Sequence, residues 1–212
     1  MLFGKIDYLN LLPFHVFIKR HARSLRQHSV IDYKKGVPSQ INKAFKKRRI
    51  DAAFISSIES HQFACLDLGI VAKKEVISVL VLPGVSKEDK ASATSNALAK
   101  QLNIQGEVII GDRALRHYLE HGTGVDLAKV WYDKTGLPFA FARLCYHKKG
   151  CYLKKMVKQY KKSPTKIPQY LLNKASLESD ISPSQIRHYL KKISYDVDIK
   201  GKKSLKKFLR NT

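Results

Sequence analysis

Residues 124–142 read Gly-Val-Asp-Leu-Ala-Lys-Val-Trp-Tyr-Asp-Lys-Thr-Gly-Leu-Pro-Phe-Ala-Phe-Ala. Val125, Leu127, Val130 and Trp131 recur at the spacing of one helical face, which predicts a helix over about 125–135. Gly136 suits the left-handed residue that ends a helix, and Pro138 cannot continue one. Phe139–Ala142 then reads as a buried strand. An amphipathic helix is thus joined to a strand through a tight Thr135-Gly136-Leu137-Pro138 turn, the unit from which α/β folds are assembled.

Upstream, the same alternation repeats. Leu2–Tyr8 reads as a short strand that breaks at Asn10, before Pro13 opens a helix to about Arg23. Val30–Tyr33 is a second strand, and a helix starts at Pro38-Ser39 with Ser39 as N-cap and Ile41, Ala44 and Phe45 inward. Ile50–Ile55 is apolar after Asp51, as in a strand covered on both faces. A helix begins at Ser56-Ser57-Ile58-Glu59, and Glu75–Leu82 is a long strand ended by Pro83-Gly84. This order predicts mainly parallel sheets. The polar run Ser86–Lys90 leads into a second lobe with a helix over Ser92–Leu102, a strand over Glu107–Ile110 and a helix over Asp112–His121. Residues 143–212 read as helices at 147–162, 164–173, 183–192 and 201–210, punctuated by Pro164, Pro168 and Pro183. The expected architecture is a two-lobed α/β clamp with a helical C-terminal segment. One lobe is 1–84 plus about 143–212, and the other about 85–142.

Composition narrows the function. With 212 residues, 44% of them hydrophobic, the chain can bury a substantial core. No apolar run reaches the roughly 20 residues of a membrane helix, and Tyr8–Ile18, interrupted by Asn10, Pro13 and His15, does not read as a signal sequence. Three cysteines, Cys65, Cys145 and Cys151, are too few for a disulfide framework and fit a reducing cytoplasm. Cys145, His147 and Cys151 match no common zinc spacing, and His117 and His121, four apart, lack a third ligand, so no metal is expected.

The net charge of +23 is concentrated at one end: residues 143–212 hold 19 Lys or Arg against 4 Asp or Glu. Such a field favours anionic partners, nucleic acid included. Yet Lys154, Lys155, Lys158, Lys161 and Lys162 alternate with Leu153, Met156, Val157 and Tyr160 at helical spacing, the pattern of a solvated face over a buried stripe. Neither a groove-reading motif nor an aromatic platform accompanies the charge, which argues against nucleic acid as the partner.

In open α/β sheets ligands bind beyond the carboxyl ends of strands, where helix N-termini offer N–H groups to anions. Four small polar turns occupy such places: Asn10, Ser56-Ser57, Ser92-Ala93-Thr94-Ser95 and Gly111-Asp112. Each is also an ordinary cap taken alone; four at successive strand ends point to a shared anionic ligand. No Gly-rich phosphate loop, catalytic triad spacing or nucleophile elbow is present.

Several of these stretches resemble one family. The run 124–142, Ile6-Asp7-Tyr8-Leu9-Asn10-Leu11-Leu12-Pro13, Ile50-Asp51-Ala52-Ala53, Ile55-Ser56-Ser57-Ile58-Glu59, Val76-Ile77-Ser78-Val79, Ser92-Ala93-Thr94-Ser95 and Ile110-Gly111-Asp112-Arg113-Ala114-Leu115 are similar, in order, to motifs of the chorismate dehydratases of the futalosine route to menaquinone. The likeness covers residues 4–142. It loosens after Ala140, where Arg143-Leu144 departs from the family pattern, and C-terminally is marked only at places such as His188-Tyr189-Leu190 and Tyr195.

The resemblance implies a fold like the type II periplasmic binding proteins and a cytoplasmic lyase without cofactor. Its reaction removes water from chorismate to give 3-[(1-carboxyvinyl)oxy]benzoate. By the same resemblance Asn10 and Ser78 are catalytic, and Ser56, Ser92, Thr94, Ser95, Gly111 and Asp112 bind substrate carboxylates or hydroxyls. Neither Asn nor Ser is a strong base, so the proton acceptor is a carboxylate of the substrate, with Asp112 or bound water as rivals. A non-catalytic binding protein for an anionic metabolite, or the related dihydroxynaphthoate synthase, are the alternatives.

Overall fold

The computed structural model describes residues 1–24, 31–162 and 165–210, without the side chains of 22–24. Strand β1 (Leu2–Lys5) leads into a three-residue 3-10 turn, Leu9–Leu11, and helix α1 (Leu12–Ser24), with Pro13 in its first turn. Strand β2 (Asp32–Lys35) follows, and Val30 of the expected strand lies outside the described residues. Helix α2 (Pro38–Lys46) is capped by Val37, not by Ser39: the fixed φ of Pro38 makes it the first helical residue, and Gln40 Oε1 accepts from the Val37 N–H.

Strand β3 (Ala52–Ser56) is fully buried and runs into the single-turn helix α3 (Ser57–Ser60). Next comes β4 (Cys65–Ala72), which the sequence reading missed. Asp67 and Gly69 disguise it, being residue types that strands avoid. Gly69 is nonetheless dictated by packing, because a Cβ there would lie 2.4 Å from the Ala142 carbonyl oxygen.

The expected long strand from Glu75 is shorter: residues 73–78 form an irregular hinge, and only β5 (Val79–Leu82) pairs. Helix α4 (Ala93–Gln101), strand β6 (Glu107–Ile110), helix α5 (Gly111–His121), strand β7 (Val125–Asp126) and helix α6 (Leu127–Thr135) follow. The turn that ends α6 is as the sequence indicates: Gly136 has φ +67° and its N–H donates to the Tyr132 carbonyl. Val125, expected on the helix, instead lies exposed on β7, and Ala128 joins Leu127 and Trp131 on the buried face. Strand β8 (Phe139–Tyr146) returns to the first sheet. The C-terminal segment holds α7 (Gly150–Lys162), α8 (Gln169–Ser179), α9 (Pro183–Lys191), an unexpected strand β9 (Ile193–Asp196) and α10 (Ile199–Leu209).

The large sheet has the order β2-β1-β3-β8-β4-β9 and the small one β6-β5-β7. β1 pairs parallel with β2 and β3, whereas β8 runs against both β3 and β4, and β9 against β4. Strands β2, β1, β3 and β4 therefore share one direction. The mainly parallel expectation holds for strand direction there but not for pairing, since β8 re-enters from the second sheet and must run the opposite way. In the small sheet β5 is antiparallel to both neighbours. Because β5 belongs to that sheet, the chain leaves the large one after Ala72, not after Gly84.

One apolar core runs through both parts. Trp131 packs edge-on against Phe139 and Phe208, and its indole N–H donates to Ser204 Oγ at 2.9 Å, tying α10 to α6. Cys65 and Cys145 are register partners in β4 and β8 with their sulfurs paired as a disulfide, a single bridge where the sequence reading expected none; Cys151 is free and exposed. Among the described residues no helix is long and apolar enough to cross a membrane.

Candidate active site

A cleft of about 620 Å³, including its open mouth, lies between the two sheets. Its walls are strand ends and helix starts: Asn10 from the 3-10 turn, Ser56 from the end of β3, Ser78 from the hinge, Ser92 and Ser95 from the start of α4, and Gly111 from the start of α5. All four turns marked in the sequence thus converge. Apolar side chains fill the gaps between them, among them Ile6, Phe54, Ile70, Val76 and Phe141. Among the described residues lining the cleft none is Lys, Arg, His, Asp or Glu. An anion there would be held by hydroxyls and by the positive ends of helices α4 and α5, with no cationic side chain.

Each lining group is oriented by a buried partner. Asn42 of α2 donates from Nδ2 to Ser56 Oγ at 2.7 Å and accepts from the Ser56 N–H at 3.3 Å. Ser92 caps α4, its Oγ accepting from the Ser95 N–H and donating to Ser95 Oγ at 2.8 Å. Ser78 Oγ lies 2.9 Å from the Tyr189 hydroxyl, and its carbonyl accepts from the Gly111 N–H at 2.8 Å. Asn10 lines the cleft, and its buried Oδ1 has no partner among the described residues; its carbonyl accepts from the Tyr195 hydroxyl at 2.6 Å. An orphaned buried acceptor costs about 1–3 kcal/mol, which a ligand in the cleft would recover.

Thr94, Gly111 and Asp112 each have a partner within the protein. Thr94 does not line the cleft: its Oγ1 accepts from the Ile58 N–H at 3.2 Å, joining α4 to α3. The Gly111 N–H is already engaged by Ser78, and the residue is glycine because its φ is +66° and a Cβ would sit 2.9 Å from the Tyr8 ring. Asp112 stands behind the cleft, where its Oδ1 accepts from the Leu9 N–H at 3.1 Å. Burial raises its pKa to about 6, against the opposing effects of that hydrogen bond and of Arg116.

Sequence reading missed the residues that hold the others. Asp126 is the chief of these. Its Oδ2 accepts from the Val76 and Ile77 N–H groups at 2.8 and 2.6 Å, and its Oδ1 from those of Ala128 and Lys129. It therefore caps α6 and pins the hinge immediately before Ser78. Ile77 there has φ +52°, a costly conformation for a β-branched residue. Burial pushes the Asp126 carboxyl up, opposed by its four backbone donors. Tyr8 lines the cleft with its phenol pushed up to about 12, chiefly by burial and then by the charges of Asp89 and Asp112. Asn42 and Asp126 left no sequence signal beyond being polar at otherwise apolar positions. Tyr189 and Tyr195 lie where the C-terminal family likeness resurfaces.

Two sheets flanking a cleft walled by helix starts make a fold of the periplasmic-binding-protein class. Solved structures agree on the fold. Protein AF1704 of Archaeoglobus fulgidus superposes with a TM-score of 0.67 at 10% identity, over 99% of this chain and 95% of that one. The periplasmic aliphatic sulphonate binding protein SsuA of Escherichia coli does so with a TM-score of 0.57 at 12% identity, over 99% and 85%. Within that class the chain belongs to the menaquinone-biosynthesis family, whose sequence profile matches residues 1–106 and 90–212. A chorismate dehydratase of Campylobacter jejuni is 47% identical over 216 residues, covering 99% of this chain and 96% of that protein.

Proposed function

We propose that this protein is a chorismate dehydratase, a hydro-lyase that converts chorismate to 3-[(1-carboxyvinyl)oxy]benzoate and water in menaquinone biosynthesis. The observation that carries the reading is the cleft: it joins Asn10, Ser56, Ser78, Ser92, Ser95 and Gly111 from both lobes in a site without an ionisable group except Tyr8. The 47% identity to a chorismate dehydratase supplies the substrate.

Dehydration requires loss of the ring hydrogen beside the ether oxygen and departure of the neighbouring hydroxyl. Aromatisation drives it, so the protein has to orient a dianion, exclude water and assist proton transfer. Ser92 and Ser95, at the start of α4, and Ser56 are placed to receive carboxylate or hydroxyl oxygens. Asn10 and Ser78 face the reacting centre. With Asp112 set back behind the Leu9 N–H, the ring proton goes to a carboxylate of the substrate itself. The reading places the protein in the cytoplasm and treats the basic C-terminal helices as a solvated surface, with no nucleic-acid partner.

The test is to incubate purified protein with chorismate, without added metal or nucleotide, and to follow the masses of substrate and product. Loss of one water is expected, slowed by about 100–1,000-fold but still measurable in Asn10→Ala and Ser78→Ala. Tight chorismate binding without turnover would make this a binding protein, and neither would remove the substrate assignment.

A further inference from the structure

Tyr189 belongs to α9 of the basic C-terminal segment, yet its hydroxyl lies inside the cleft wall. The residue is 1% exposed, and its Oη is 2.9 Å from Ser78 Oγ. Burial holds the phenol well above its ordinary pKa, so it keeps its proton throughout the working pH range.

The direction of this bond follows from what each hydroxyl can satisfy. The buried phenol has one hydrogen to give, and among the described residues the acceptor at hydrogen-bond distance is Ser78 Oγ. Were Ser78 the donor, the phenol hydrogen would be left buried without an acceptor, at a cost of about 1–3 kcal/mol. Ser78 Oγ, having accepted from Tyr189, retains its own hydrogen for the cleft.

We propose that Tyr189 is a positioning residue for the dehydration: by donating to Ser78 Oγ it fixes the Ser78 hydroxyl as a donor to the departing hydroxyl of the substrate. The proposal rests on the dehydratase reading above. It makes the C-terminal segment a part of the active site and gives the fully buried phenol a role beside the uncharged Ser78. A hydroxyl free to rotate would donate to the leaving group only part of the time; one with its lone pair occupied is pre-oriented for it.

The experiment compares chorismate turnover by wild type, Tyr189→Phe, Ser78→Ala and the double variant, with thermal melts of each. Phe keeps the ring and removes one oxygen. The expected result is a fall in kcat of about 10–100-fold with KM changed less than about threefold and the melt preserved. The double variant is expected to be no slower than Ser78→Ala alone, because both changes break the same hydrogen bond. Tyr189→Phe turning over within twofold of wild type, or losses that multiply in the double variant, would overturn the proposal while leaving the dehydratase reading standing. Absence of turnover in wild type would remove both. Should Tyr189→Phe fail to fold, 3-fluorotyrosine at position 189, with its stronger donor and nearly unchanged shape, decides the matter: kcat altered at least twofold supports the relay, and unaltered kcat overturns it.

Discussion

Asn10 stands on a three-residue turn fastened by one hydrogen bond from the Leu9 N–H to Asp112 and one from the Tyr195 hydroxyl to its own carbonyl. Ser78, on the opposite wall, ends a hinge whose two preceding N–H groups share Asp126 and whose carbonyl holds the Gly111 N–H. Each wall thus presents an uncharged group and keeps a carboxylate behind it, Asp126 buried and Asp112 half-buried. The difference lies in how well each carboxylate is compensated. Four backbone donors surround Asp126, enough to offset much of its desolvation, whereas Asp112 has one and is pushed up to about 6. Stability is therefore concentrated on the Ser78 wall, and the Asn10 wall carries an electrostatic cost.

The sharpest break of this comparison is Asp126→Ala, which strands the buried Val76 and Ile77 N–H groups and uncaps α6. A loss of about 3–5 kcal/mol in denaturant unfolding is expected, in the range seen when one partner of a buried charged network is removed. A loss below 1 kcal/mol would mean that the hinge is not held by Asp126.

Asp112→Asn should act in the opposite direction. Its folded pKa of about 6 exceeds the ordinary 3.8, so the native state binds the proton more tightly. That contribution is fully present below pH 3.8 and is lost as pH rises through 6. The neutral variant is therefore expected to be more stable than wild type at pH 7.5, by up to about 2 kcal/mol, and to match it at pH 4. Equal stability at both pH values would contradict the cost assigned to the Asn10 wall.

Between the walls, Gly111→Ala places a methyl 2.9 Å from the Tyr8 ring at φ +66° and is expected to cost about 1–2 kcal/mol while raising the KM for chorismate. The smallest effect is assigned to Tyr195→Phe, which removes one hydrogen bond to the Asn10 carbonyl. A destabilisation of about 1 kcal/mol is expected, with the larger change in kcat. An unchanged kcat would show that the turn holds Asn10 without it.

The positions of the cleft residues were legible in the sequence because chemistry and topology coincide there: Ser56 ends a strand, Gly111 starts a helix directly after one, Ser92 caps a helix and Asn10 sits in the turn that leads into one. For Thr94 and Asp112 the sequence marked the positions but not their backbone partners, the Ile58 and Leu9 N–H groups, since a hydroxyl or carboxylate at a helix start looks the same whichever group it faces. Asp126 was hidden because its hinge partners are some fifty residues away, and spacing carries no trace of such contacts. The large sheet was misread at β4 and β9, where Gly69, Asp67 and Asp196 break the apolar pattern for reasons of packing and surface pairing. The feature that dominates the composition, a net charge of +23, is not at the cleft at all. It sits chiefly on the outer faces of helices such as α7, whose Leu153, Met156, Val157 and Tyr160 are buried while Lys154, Lys155, Lys158, Lys161 and Lys162 face outward.

The central claim is that uncharged groups on both walls perform the reaction while the carboxylates of Asp112 and Asp126 only hold them. The most direct test is kcat for chorismate dehydration from pH 5.5 to 9, measured in parallel on wild type and Asp112→Asn. Superimposable profiles without a break between pH 6.5 and 9 are predicted, because the one ionisable side chain lining the cleft, Tyr8, is pushed up to about 12. A break near pH 6 in wild type that disappears together with most of the activity in Asp112→Asn would contradict the account and make Asp112 the proton acceptor.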